Sequence, residues 1–198
     1  MAFEELGRDA DRENSKGRDK LVGVYIAILA VILAICSLGG SNAQQDATQQ
    51  NIAASNVWAF FQAKNARRQA LRLHTDEFEV MLKATPGVPD DARKSIEEKI
   101  AGYKEQDKSL TSDPKSGEGL DELFNKGKSL EADRDKSLQR GPYFDYGQAL
   151  LQIAIVLASV AIISGGNLVL AASFFLGALG SAATIGGFTL AFPLPFAG

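Results

Sequence analysis

Apolar positions along this chain follow two patterns: three long uninterrupted runs, and between the first and second a long stretch where small or apolar side chains recur every three or four residues. The first run, Leu21 to Leu38, holds eighteen apolar or small residues and would rise ~27 Å as a helix, about the thickness of a bilayer core. The second extends from about Tyr146 to Gly166, with Tyr143, Phe144 and Tyr146 as an interfacial aromatic belt and Gln152 as its strongly polar interior residue. The third, Leu168 to Phe192, follows after the turn signals of "SGGN", which predicts a tight antiparallel hairpin ended by Pro193 and Pro195.

From Ser41 to Ala84 there is neither proline nor glycine, so the first run should continue as helix beyond the bilayer. Its seam would comprise Ala43, Ala47, Ala54, Val57 and Phe61, with Gln50 filling the gap, followed by a second row at Ala63, Ala66, Ala70, Leu73, Val80 and Ala84. "TPGVPD" stops that helix, and Asp90 suits the N-cap of the next, Asp91 to Ser109, with Ala92, Ile96, Ile100 and Tyr103 on one stripe. After "LTSDPKSGEG" a third helix starts at Leu120, with Leu123, Phe124, Leu130 and Leu138 facing inward and a break or kink at Gly141-Pro142. The two returning helices together match the outgoing one in length, so helix numbering in proportion to height sets Lys64 opposite Glu122 and Arg68 opposite Glu118.

The expected architecture is all-α: three transmembrane helices with a long antiparallel, coiled-coil-like stalk inserted between the first and second. The expected segments are a mobile charged tail (1–19), transmembrane helix 1 (20–40), an extramembrane helical hairpin (41–145), transmembrane helices 2 (146–166) and 3 (167–192), and a short apolar tail (193–198).

Charge sharpens this division. All 21 basic and 24 acidic side chains precede Tyr146, so the remainder reads as membrane-embedded. The formal net charge of −3 lacks the basic excess that a nucleic-acid partner requires. Cleavage of the first run as a signal peptide is disfavoured by its length, by six acids beside five bases ahead of it, and by Ile35, which precedes Cys36 where a lipoprotein signal needs a small residue. The five Lys and Arg residues in the N-terminal tail stand against none in the twenty residues after the first run and four before the second (Lys128, Arg134, Lys136 and Arg140); because Arg18 and Lys20 abut the first run, the N-terminus is expected in the cytoplasm by the positive-inside rule.

Few residues offer chemistry. Cys36 is the single cysteine and His74 the single histidine, and no phosphate loop, nucleophile with a base, or metal-ligand spacing occurs, so neither catalytic residues nor cofactor nor metal is expected. Asp145 at the mouth of the second run reads as a hydrated interfacial residue. The distinctive stretch is "NVWAFFQAKNARRQALRLH", where Lys64, Arg67, Arg68 and Arg72 gather without an acid nearby. With Trp58, Phe60 and Phe61 they form a candidate contact for anionic lipid or an acidic partner, weighed against ordinary ion pairs within the stalk. In the third run, Ser173, Gly177 and Ser181, and likewise Ala183 and Gly187, repeat every four positions, a candidate helix-packing seam either between copies or within the hairpin.

Two strings, "SNAQQDATQQNIAASNVWAFFQAKNARR" and "LEADRDKSLQRGPYFDYGQALLQIAIVLASVAII", resemble a bacterial membrane family catalogued as domain of unknown function 4337. The resemblance covers most of residues 20–165 and implies a fold without any catalytic residue. The functional expectation is a non-enzymatic scaffold or accessory subunit in the bacterial inner membrane, a homo-oligomer or part of a larger membrane complex in the lipid bilayer. The alternative is an oligomeric pore or a component that handles lipid or solute.

Overall fold

The computed structural model describes residues 17–193, with the backbone assignment of the first helix reaching back to Ala2. The mobile tail expected over 1–19 therefore lies outside the described residues except for its last three positions, and the apolar tail lies outside them beyond Pro193. Four helices and no strand occur among the described residues: α1 (Ala2–Ala84), α2 (Asp90–Thr111), α3 (Leu120–Ser164) and α4 (Asn167–Thr189). Three of them, α1, α3 and α4, contain stretches long and apolar enough to cross a membrane. The chain divides into one unit of Met1–Ala47 with Asp135–Gly198 and a second of Thr48–Arg134.

In the first unit α1, α3 and α4 enclose a core of Leu29, Cys36, Ala43, Phe144, Leu151 and Ala154. Small residues let the backbones approach. A Cβ on Gly147 of α3 would lie 3.0 Å from Cys36 Sγ of α1, 3.0 Å from Thr184 Oγ1 of α4 and 3.3 Å from the Gly180 carbonyl oxygen. The Phe144 ring fills the space beside Gly39 of α1 and Gly187 of α4 and meets Phe188 edge-on at 5.0 Å. Hydrogen bonds to main-chain carbonyls accompany this packing: Tyr25 Oη donates to Ser173 O (3.0 Å), Ser173 Oγ to Ala154 O (2.7 Å) and Cys36 Sγ to Phe144 O (3.3 Å). Such packing and bonding are what hold helices together where the solvent is as apolar as the side chains.

Helix ends follow the expected punctuation, with three differences. Gly165 in the left-handed region (φ +66°) ends α3, its N–H reaching Ala161 O, and Gly166 caps α4. Pro142, where a break or kink is expected, does not break α3 but lies inside it. Proline removes one helical N–H, but Tyr143 and Phe144, which follow directly, are both buried and anchor the helix just beyond that gap. At the start of α2, Pro89 rather than Asp90 occupies the cap, with no side-chain hydrogen bond, and Asp90 and Asp91 instead place carboxylates in the first turn, where the helix dipole favours them. Finally, α4 ends on Leu190 in the left-handed conformation (φ 51°), held there as Tyr143 Oη donates to Phe192 O and the Phe192 ring packs on Tyr143 at 5.8 Å.

In the second unit α1 makes antiparallel contacts, first with α3 and then with α2. Asn51 meets Arg134, Trp58 meets Gly127 and Glu131, Lys64 meets Glu118, Arg72 meets Asp107, and Glu79 meets Lys104.

The crowding at Gly147 predicts that Gly147→Leu costs about 1–3 kcal/mol or more through overpacking, and Gly147→Ala less, read as a lowered thermal midpoint in detergent. Leu190→Gly should raise that midpoint by relieving about 1 kcal/mol of left-handed strain.

Candidate interaction surfaces

The covered face of α1 sets what remains available outside. In the second unit its shielded positions include the row Ala54, Val57, Phe61, Lys64, Arg68, Leu71, Thr75, Phe78 and Leu82, still at intervals of three and four, flanked by half-buried Ala53, Trp58, Asn65 and Glu79. This corrects the expected second row: Ala63, Ala66, Ala70, Leu73, Val80 and Ala84 are all exposed. The phase set by Ala54, Val57 and Phe61 simply continues, and two long cations occupy seam positions because their aliphatic stems cover apolar surface while their heads reach polar groups. Lys64 Nζ donates to Glu118 O, lies 3.7 Å from the Glu118 carboxylate and stands over the Phe60 ring at 5.1 Å. Arg68 donates to Thr111 Oγ1 (3.4 Å) and Asn65 Oδ1 (3.2 Å), while its Nε is buried without a partner.

Arg72 makes a two-pronged pair with Asp107, Nε to Oδ1 at 2.7 Å and Nη2 to Oδ2 at 3.0 Å. The hydrogen bond from Arg72 holds the Asp107 carboxyl below the usual aspartate range and raises the guanidinium in turn. Lys104 does the same for Glu79 across 2.7 Å. Together with Thr75 and Asp76 these four line a shallow polar cleft between α1 and α2. Of the four cations in the basic stretch, Lys64, Arg68 and Arg72 are thus engaged with α2, with the linker or with their own helix, and Arg67 alone projects without such a partner among the described residues.

The aromatic group is divided as well. Trp58 lies on Gly127, donates from Nε1 to Glu131 (3.0 Å), and meets Phe61 and Phe124 edge-on, each at 5.6 Å. Only Phe60 of the three points outward, 41% exposed. Phe124, placed inward by pattern, is 45% exposed and Leu138 49%, whereas Leu123 is buried; on α2, Ile100 is buried and Ala92 exposed.

The expected register is off by about one turn, since Lys64 meets Glu118 and not Glu122. The linker consumes the difference by folding on itself: Glu122 accepts hydrogen bonds from Ser112 Oγ (2.8 Å) and the Asp113 N–H (3.2 Å), and Asp113 accepts from Ser116 Oγ (2.7 Å). These bonds hold the carboxyls of Glu122 and Asp113 below their usual range.

The small-residue row of α4 faces α1 and α3 of its own chain. Ser173, Gly177, Ala183 and Gly187 are buried and Ser181 half-buried, its hydroxyl turned back to Gly177 O (2.7 Å). A Cβ on Gly177 would meet the Tyr25 hydroxyl at 2.6 Å and Leu29 at 3.1 Å. Gly180 and Thr184 belong to this face and were missed; a spacing of four, then three, from Ser173 and Gly177 reaches both. His74 pairs only with Glu77 (3.2 Å) on an exposed turn, and no group of three His, Cys, Asp or Glu side chains suited to a metal occurs among the described residues.

The family model for a domain of unknown function, DUF4337, matches residues 18–190, and the chain belongs to that family. The match extends through α4 as well as the two strings that carried the resemblance. No curated protein and no solved structure matches the chain.

The depressed Asp107 carboxyl stabilises the fold above the usual aspartate range, and its contribution is lost as pH falls through the folded-state value. Helicity of the full chain followed during acid titration should therefore fall earlier for Asp107→Ala than for the parent, by a small margin because the Arg72 side of the pair is exposed to solvent. In Asp107→Asn the neutral amide should abolish that site's share of the acid transition.

Proposed function

We propose that this chain is a non-enzymatic integral membrane scaffold or accessory subunit, whose extramembrane helices self-associate or dock onto a larger membrane complex. One observation carries the reading: the exposed row on α1. Ile52, Ala59, Ala63, Ala66, Ala70, Leu73, Val80 and Ala84 keep intervals of three and four, interrupted by Asn56 and Glu77, and Ile52, Leu73 and Val80 are 56%, 59% and 62% exposed. Each of these positions from Ala59 onward lies two residues beyond a covered one, about 200° around the helix, so α1 offers an apolar row on the face away from its own partners. A solvated helix face has no need of this spacing, whereas a coiled-coil partner does.

In this reading α1, α3 and α4 cross the bilayer, and the N-terminus is cytoplasmic in a bacterial inner membrane. Arg18 Nη1 donates to Gly165 O (3.1 Å) and approaches Asn167 Oδ1 (3.4 Å), so the α3–α4 turn shares the cytoplasmic end with the basic start of α1. The lipid or acidic-partner contact through the basic stretch narrows to Phe60 and Arg67. A pore is the weaker reading, since the space among the three apolar helices of one chain is filled by Leu29, Cys36, Leu151 and Ala154.

The test is the mass and composition of the complex extracted from its native membrane in mild detergent. A homo-oligomer or a stoichiometric partner is expected. Leu73→Asp or Val80→Asp should weaken the association by a factor of ten or more, the scale of losing one buried aliphatic side chain. A monomer without a partner would overturn the proposal.

A further inference from the structure

On α3, the positions that pack on α1 and α4 are Phe144, Gly147, Leu151, Ala154, Ala158 and Ala161, all buried. The opposite face carries Asp145, Ala149, Gln152, Val156, Ser159 and Ile163, again at intervals of four and three, and every one is exposed. The polar groups on the apolar part of this face differ sharply in what they bond. Ser159 Oγ donates to the Ile155 carbonyl one turn earlier (2.9 Å), as Ser181, Thr184 and Thr189 do within α4. Gln152 has no such recourse, and neither its amide nor that of half-buried Gln148, one turn before it, makes a hydrogen bond among the described residues. Gln152 lies about 10 Å along the axis from Asp145, the last charged residue of the chain, and so within the apolar part of the helix.

An amide facing hydrocarbon is costly unless something in the membrane bonds it. We infer that this face of α3 is the contact with a second copy of the chain lying parallel in the same membrane, with the two Gln152 amides bonded to each other. The inference rests on the membrane-spanning, self-associating reading above and gives it a site. An amide has both a donor and an acceptor, so it is its own complement. A copy related by rotation about the membrane normal, of which the two-fold is the simplest case, places an identical amide at the same depth by symmetry. Ala149 and Ser159, one turn before and two turns after Gln152, are small enough for the helices to approach closely. Asp145 stays at the aqueous end, where two like charges remain hydrated.

The experiment uses the full chain in lipid vesicles at low protein density, with energy transfer between donor- and acceptor-labelled populations as the readout of association. Gln152→Leu, an apolar change on an exposed face, should reduce association at least tenfold without loss of helicity, and Gln152→Asn should retain most of it. In a Cys36→Ala background, Gln152→Cys should form disulfide-linked dimers on addition of a thiol oxidant, while Phe175→Cys, also exposed on α4, should not. Unchanged association of Gln152→Leu, or equal cross-linking at Phe175, would overturn the inference. If Gln152→Leu has no effect while Leu73→Asp dissociates the complex, only this contact fails. If the parent chain is monomeric in vesicles, the self-association reading falls with it. A Gln152 cross-link in native membranes to a different protein, or recovery of full association only when that protein is added, also counts against a second copy.

Discussion

The phase of α1 is the constraint on which the rest of the structure depends. Its covered positions recur at three and four residues in both units, through Val22, Leu29, Cys36 and Ala43 in one and Ala54, Phe61, Arg68 and Thr75 in the other. A repeat averaging 3.5 residues on a helix with 3.6 per turn winds slowly around the helix, by about 20° per heptad, so the covered strip changes direction only gradually along α1. The same constraint explains why Lys64 and Arg68 face inward while Leu73 and Val80 face out: position in the repeat outranks polarity when long cations can find oxygen atoms nearby.

The two units satisfy that phase with different materials. In the first, glycines at positions 39, 147, 177, 180 and 187 bring helices close, and hydroxyls and the Cys36 thiol bond to main-chain carbonyls. In the second, the strip is filled by aromatic contacts around Trp58 and by ion pairs between α1 and α2. Small residues suit an apolar solvent, where close van der Waals contact is the chief attraction. Ion pairs suit an aqueous one, where each is worth little and several together fix register.

Much of this architecture is legible from residues alone. Apolar runs mark the three long helices, "TPGVPD" and "SGGN" mark two of the connections, and Leu120 is a start that the structure keeps. At Pro142 the pattern marks a break or kink without choosing between them, because a proline's local effect depends on what holds the helix around it, and the burial of Tyr143 and Phe144 is a tertiary fact. The row from Ala63 to Ala84 was read as the covered seam because small and apolar types were weighted above continuity of spacing. Lys64 could not be matched with Glu118 while the linker was treated as a straight spacer. For the α4 row, a strict interval of four drifts around a helix, and the three-and-four spacing that reaches Gly180 and Thr184 does not.

Arg18 closes the α3–α4 turn from outside the hairpin. That turn and everything from Tyr146 onward lack charge. In a chain that crosses the bilayer as proposed, the charges that could orient the last two apolar segments are those ahead of them, at the start of α1 and at Lys128, Arg134, Lys136 and Arg140. The turn itself borrows its cation from α1, so a residue of the first helix completes a connection made between the last two.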